Sequence, residues 1–214
     1  MTSQRRIPEA TVARLPLYLR SLRSLSETDT EMVSSVRLAE LAGVNAAKVR
    51  KDLSHLGSYG IRGVGYEVKY LIFEIERELG LNTARPVAII GVGNLGRALA
   101  NYGGFNERGF PIRALVDADP NKVGQLVRDL PIRHLDELDT LVAEESISIG
   151  LVCTPADAAQ PVADRLVKAG IRSILNFAPV VLGAAEGVSI RKVDLALELQ
   201  VLGFYDQLAG NLSP

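Results

Sequence analysis

With 214 residues, 47 % of them hydrophobic and 23 % charged, the chain has room for two small domains or one large one and enough apolar content to bury real cores, which excludes a disordered polymer. No run of about 20 uninterrupted apolar residues occurs and no apolar stretch follows the arginines of MTSQRRIPEA, so neither a membrane span nor a secretion signal is expected and the chain reads as cytoplasmic. The net charge of −1 hides an asymmetry: residues 1–85 carry 13 Lys and Arg against 10 Asp and Glu, a net of +3, and residues 86–214 carry 11 against 15, a net of −4.

A first helix is expected from near Pro8, because TVARLPLYLRSLRSL spaces Val12, Leu15, Leu19, Leu22 and Leu25 helically, although Pro16 signals a kink or the true start. Past the polar loop SETDTE, the segment SSVRLAELAGVNAAKVRKDLSHLG divides into two short helices about Gly43. Ala39, Gly43 and Val49 fall where a helix-turn-helix needs a small residue, a tight turn and an apolar anchor, with Leu38, Leu41, Val44, Val49 and Leu53 as its core. Asn45 is placed to cap the second helix. That helix is expected to expose Lys48, Lys51 and His55 on one flank, with Arg50 and Ser54 alongside, a donor-rich surface suited to the major groove of duplex DNA. The glycine-rich SYGIRGVGY then reads as a β-hairpin wing that includes Tyr59 and lifts Arg62 toward a minor groove. An ordinary helical bundle with a loop is the plainer alternative for these residues.

A charged helix, Val68 to Leu79, ends at Gly80, and a linker at 81–86 closes on Pro86. The segment VAIIGVGNLGRALANYG gives strand, glycine turn and helix in the order of a dinucleotide-binding unit. Gly91 permits the tight turn, Gly93 lets backbone approach a pyrophosphate and Gly96 allows close helix packing, with Val92, Asn94 and Leu95 between them and the amides of the helix N-terminus facing the ligand. In IRALVDADPNKVG, Asp117 ends the second strand about 20 residues on, where a carboxylate takes ribose hydroxyls and repels a 2′-phosphate, favouring NAD(H) over NADP(H). Asp119 is a substitute for that role, and a mere cap on the turn before Pro120 is the alternative for Asp117. ISIGLVCTP and RSILNFAP are strands ending in polar–proline loops, so Thr154, Pro155, Asn176 and Phe177 are expected at the ligand.

No enzyme is expected. The two histidines are His55, in the DNA-reading helix, and His134, which precedes a helix and reads as structural; no catalytic residue and no substrate domain is recognised. The single cysteine, Cys153, excludes an internal disulfide and a cysteine-based metal cluster, and reads as a small core residue rather than a nucleophile. The tail VDLALELQVLGFYDQLAG spaces Leu195, Leu199 and Leu202 as an amphipathic helix widened by Val201 and Phe204, which packs either on its own domain or on a second subunit.

Taken together, VRKDLSHLGSYGIRGVGY, GVGNLGRAL, VDADPNKVG, ILNFAPVVL and VDLALELQ resemble the Rex family of redox-sensing transcriptional repressors over nearly the whole chain. The resemblance implies an α/β protein with a winged helix-turn-helix domain over residues 1–80, a doubly wound Rossmann-type NAD(H)-binding domain over 87–193 and a final helix over 194–211 swapped into the partner of a homodimer. It implies operators upstream of respiratory and fermentative genes, bound when NAD⁺ prevails and released when NADH, the preferred form, rises. By the same match Tyr102 lies near the nicotinamide, and Arg14 and Asp194 form a switching salt bridge between subunits; no metal is implied. Cys153 before Thr154 and Pro155 departs from some relatives and raises the question of thiol chemistry there. A small NAD-dependent oxidoreductase whose basic N-terminus serves assembly is the alternative, and a DNA reader answering to CoA or another adenine nucleotide is a third.

Overall fold

The computed structural model describes residues 7–57, 60–61 and 63–210. The chain divides into two compact units, Met1–Thr83 and Ala84–Pro214, each with its own apolar core.

The first unit comprises α1 (Glu9–Val12), α2 (Leu15–Glu27), β1 (Met32–Val33), α3 (Ser35–Ala42), α4 (Ala46–Leu56), β2 (Gly60–Ile61), β3 (Gly65–Glu67) and α5 (Val68–Glu78). Pro16 sits in the first turn of α2, where the missing N–H has no intrahelical carbonyl to lose, so the expected single helix is two. Ser34 Oγ accepts from the Arg37 N–H at 3.1 Å and Asn45 Oδ1 from the Lys48 N–H at 2.8 Å, fixing the starts of α3 and α4. Between them Gly43 adopts φ +68°, a left-handed turn that ends α3. The antiparallel hairpin β2–β3 takes β1 on its other edge, in the order β1-β3-β2. Gly65, at φ +118°, must be glycine because a Cβ would overlap the Val33 carbonyl. Leu15, Tyr18, Leu22, Leu38, Val49, Leu53, Val68 and Ile75 fill the core, completing a winged helix-turn-helix. Leu41, expected in the core, is exposed instead, and so is Val12 of the helically spaced series.

The second unit runs β4 (Val87–Ile90), α6 (Asn94–Asn101), α7 (Gly104–Glu107), β5 (Ile112–Asp117), β6 (Leu126–Val127), β7 (Leu130–His134), a 3₁₀ turn (Leu135–Glu137) into α8 (Leu138–Glu144), β8 (Ile149–Val152), α9 (Ala156–Lys168), β9 (Ser173–Asn176), β10 (Ser189–Lys192) and α10 (Leu195–Gly210). The sheet order is β10-β9-β8-β4-β5-β7-β6, parallel throughout except for the β6–β7 hairpin. Counting only the six parallel strands, this is the doubly wound order 3-2-1-4-5-6, with its switch point between β4 and β8, where such sheets take ligands. Strand β10, unforeseen in the sequence, supplies the sixth position.

One sheet face buries Ala88, Ile90, Val116, Val152 and Ile174 beneath α8 and α9; the other buries Val87, Ile89, Leu115 and Leu151, with Ala100 of α6 among them. Beyond α6 that second face is open, forming a groove of about 450 Å³ lined by Phe105, Phe110, Ile149, Leu175 and Arg191, among others. Helix α10 does not confine its apolar residues to one narrow stripe, since Glu198 and Asp206 fall among them, and every side chain described in it, from Leu195 to Leu208, is exposed. No helix among the described residues is long and apolar enough to cross a membrane.

Candidate nucleic-acid surface and nucleotide site

Lys48, Arg50, Lys51 and Ser54 all lie exposed on α4. The Arg50 guanidinium donates to Ser35 Oγ at 2.9 Å and, with the wing residues Gly63 and Tyr66, lines a cleft of about 420 Å³ beside the start of α3. Ser54 turns its hydroxyl back onto the Lys51 carbonyl at 2.7 Å. His55 departs from the expected exposed flank: it is partly buried, and its Nε2 is enclosed without a partner among the described residues. The period of α4 explains this, since position 55 follows the buried Asp52 by three residues and so turns toward the core. Tyr59 and Arg62 lie outside the described residues.

Underneath α4 is a feature that spacing did not reveal. The Asp52 carboxylate, buried, accepts from Thr11 Oγ1 at 2.9 Å, from Arg14 Nη2 at 2.7 Å and Nε at 2.6 Å, and from the Tyr18 hydroxyl at 2.7 Å. Burial alone would raise its pKa, but the hydrogen bonds from Arg14, Tyr18 and Thr11 prevail and hold the carboxyl below its ordinary value. Burial, together with the anion, pushes the Tyr18 hydroxyl far above its usual range. The acid in the basic patch is thus neutralised inside the fold, leaving the outer side of α4 to its lysines. An acidic residue on the buried stripe Val49–Asp52–Leu53–Leu56 was the available signal, because a buried charge must be paired. Arg14, expected to pair with Asp194 across subunits, has its partner in Asp52; Asp194 pairs with Lys192 at 3.0 Å and accepts from the Ala196 N–H of α10 at 3.2 Å.

At the C-terminal end of β4, Gly91 takes φ +94°, and a Cβ there would lie 2.6 Å from the Cys153 carbonyl oxygen. Gly93 begins α6 with nothing within 4 Å of a Cβ, leaving open space above the exposed Asn94 and Leu95. At Gly96 a Cβ would overlap the Gly91 carbonyl, so the helix is pressed onto the turn. Each glycine meets the need the motif assigns to it, and the turn fits a pyrophosphate at the helix start. Val92 is buried and donates its N–H to Asp117 Oδ2 at 2.8 Å; Asp117 Oδ1 accepts from the Asp119 N–H at 2.9 Å, and Lys122 Nζ reaches Oδ2 at 2.9 Å. Burial works against ionisation of Asp117, yet these donors outweigh it and keep its carboxyl below the usual value. Lys122 comes to Asp117 from five residues further along the chain, a separation with no periodic signal of its own.

Across the switch point, the Thr154 hydroxyl is buried with no partner among the described residues, so it is available to a ligand, and Pro155 starts α9. Asn176 corrects an expectation: it is fully buried, donates to the Val180 carbonyl at 2.8 Å and accepts from the Ala178 N–H at 2.9 Å, so it holds the loop after β9 instead of facing a ligand. Phe177 is partly buried against the β4–β8 core. Tyr102, half-exposed at the end of α6, stacks edge-on with Phe105 at 5.0 Å and accepts from Arg108 at 3.2 Å. Burial pushes the Cys153 thiol up to about 12, so it stays protonated at neutral pH and inert as a nucleophile. His134 accepts from the Asp136 N–H at 3.3 Å and caps the 3₁₀ turn, a structural role.

Comparison with known proteins supplies the context for these two sites. Residues 6–54 match a family described as putative DNA-binding protein N-terminus, and residues 82–180 one described as CoA binding domain. A redox-sensing transcriptional repressor Rex of Streptomyces coelicolor is 61% identical over 96% of this chain and 80% of its own, and one of Carboxydothermus hydrogenoformans is 46% identical over 93% and 96%. Among solved structures, RSP in complex with β-NAD⁺ and operator DNA superposes with a TM-score of 0.88 at 35% identity, covering 97% of this chain and 99% of that one. RSP with β-NADH superposes at 0.85 and the same identity. The chain belongs to the Rex family of redox-sensing transcriptional repressors.

Proposed function

We propose that the chain binds operator DNA as a homodimer through α4 and the wing, and that NADH seated on the β4–α6 turn releases it. The observation that carries this reading is the joining in one chain of a winged helix-turn-helix with a Rossmann turn whose glycines, Asp117 and Thr154 suit a dinucleotide; the likeness of the whole chain to a repressor solved with β-NAD⁺ and operator DNA supports it. Lys48, Arg50 and Lys51 supply the cations for phosphates and base edges, and Asn45 keeps α4 at the angle that presents them. Gly91 to Gly96 hold the pyrophosphate, Asp117 the adenosine ribose and Thr154 with Pro155 the far side of the cleft, while Tyr102, Phe105 and Phe177 line the nicotinamide end. Enclosing the neutral reduced ring among such groups costs less than enclosing the cationic oxidised ring, which gives the preference for NADH.

Helix α10, which exposes Leu195, Leu199, Leu202 and Phe204, needs a second surface, and exchange into a partner subunit supplies one. In that dimer Arg14 and Asp194 are the candidate pair for a contact that differs between states, which requires each to leave its present partner. Two recognition helices about 34 Å apart meet successive major grooves, and a change in that spacing spoils the fit. Arg50→Ala and Lys51→Ala are each expected to weaken operator binding and to make its salt dependence shallower by about one unit of slope, with NADH affinity unchanged. Fluorescence titration of NADH alongside operator anisotropy checks both arms; loss of NADH binding in these variants would overturn the division of labour.

A further inference from the structure

The ribose end of the nucleotide site holds a cation as well as an acid. Lys122 Nζ lies 2.9 Å from Asp117 Oδ2, and the Lys122 side chain is about one-third exposed (32 %) while that of Asp117 is 10 % exposed, so the ammonium occupies the solvent side of the carboxylate. The loop carrying it is fixed: Asp119 Oδ1 accepts from the Asn121 N–H at 2.9 Å, the Gln125 amide donates to the Asn121 carbonyl at 2.8 Å, and Arg97 of α6 reaches Gln125 Oε1 at 2.6 Å. Asp117 already receives three donors, from Val92, Asp119 and Lys122. A carboxylate has about four lone-pair sites, so roughly one acceptor position is left for a ribose hydroxyl.

The charge balance follows. With Lys122 paired, the ribose end is close to neutral, and rejection of a phosphorylated ribose rests on the carboxylate occupying the ammonium. Removing the carboxylate charge frees a lysine beside that ribose, the type of group that takes a phosphate as a point charge. Resting on the nucleotide reading above, we propose that the Asp117–Lys122 pair is the specificity determinant of this site, with Lys122 a latent receptor for a ribose monophosphate that Asp117 keeps closed. The ligand chemistry is an adenine nucleotide phosphorylated on its ribose, at the 2′ position as in NADPH or the 3′ position as in CoA.

The test is calorimetric or competitive binding of NADH, NADPH and CoA to the full-length protein and three variants. Asp117→Asn keeps an oxygen for the Val92 N–H while losing the charge. It is expected to lower NADH affinity and to gain at least about tenfold for NADPH or CoA, the scale of one charge-assisted hydrogen bond. Which of the two gains tells which ribose oxygen faces Lys122. Asp117→Asn with Lys122→Ala is expected to lose that gain, and Lys122→Ala alone, where Asp117 stands uncompensated, to widen the margin by which NADH exceeds both. A gain that survives in the double variant, no gain at all in Asp117→Asn, or an unaltered margin in Lys122→Ala would each overturn the assignment. Failure of the unaltered protein to bind NADH would instead overturn the nucleotide reading itself.

Discussion

Replacing Arg14 by Ala is expected to cost the N-terminal unit about 3 kcal/mol, the low end of the range for breaking a buried pair by removing one partner. Asp52 is 2 % exposed and Arg14 supplies two of its four hydrogen bonds, so the variant leaves a carboxylate in an apolar core with only two hydroxyls to hold it. Arg14 itself is 26 % exposed, and solvent screening places the loss at the lower end. For a unit of this size that is more than about 10 °C in melting temperature. The pH dependence has a definite sign. Because the carboxyl lies below its ordinary value in the fold, its contribution is complete above the unfolded carboxyl value and is lost as pH falls through the folded one. The gap between Arg14→Ala and the unaltered protein is therefore full at neutral pH and closes in acid. Asp52 belongs to α4, so operator affinity should fall with the stability while NADH binding, a property of the other unit, persists. Equal melting of variant and parent would remove the network from the account.

Gly96→Ala and Gly93→Ala separate packing from ligand approach. At Gly96 the obstacle to a Cβ is backbone, the Gly91 carbonyl, so α6 must move off the turn. Overpacking of this kind costs about 1–3 kcal/mol, and the displaced amides should weaken NADH binding by at least about tenfold. At Gly93 a Cβ meets nothing within 4 Å, so the variant is expected to keep its melting temperature yet lose NADH affinity if, as proposed, the pyrophosphate approaches through that open space. Thermal melting and NADH titration of both variants decide it, and full NADH affinity in Gly93→Ala would place the pyrophosphate elsewhere.

Local pattern carried much of this protein. Helix-turn-helix spacing, the cap at Asn45, the glycine turn and the acid ending β5 are all short-range signals, and each takes its form from backbone geometry that only certain residues permit. What escaped was long-range or multivalent. The donors to Asp52 lie 34 to 41 residues away, so nothing near α4 announced them. Asn176 sits at a strand end, as ligand-facing residues do, but a buried amide can equally satisfy a loop, and here it does. His55 has the donors of a groove-reading side chain, but its place three residues after the buried Asp52 turns it toward the core. Lys122 was visible in sequence, yet only the turn at Asp119–Lys122 brings its ammonium back to Asp117. Strand β10, short and largely exposed, has too little apolar pattern to be distinguished from a loop.

On the proposed function, a dinucleotide bound by the C-terminal unit alters the grip of the N-terminal unit on DNA. Its most direct test is the affinity of the full-length protein for labelled operator duplex at fixed salt, titrated with NADH and NAD⁺ in varied proportion. Saturating NADH is expected to weaken operator binding by about 5- to 150-fold, the usual span of such coupling, and saturating operator to weaken NADH binding by the same factor, as thermodynamic linkage requires. Operator affinity that is the same with NADH, with NAD⁺ and with neither would contradict it.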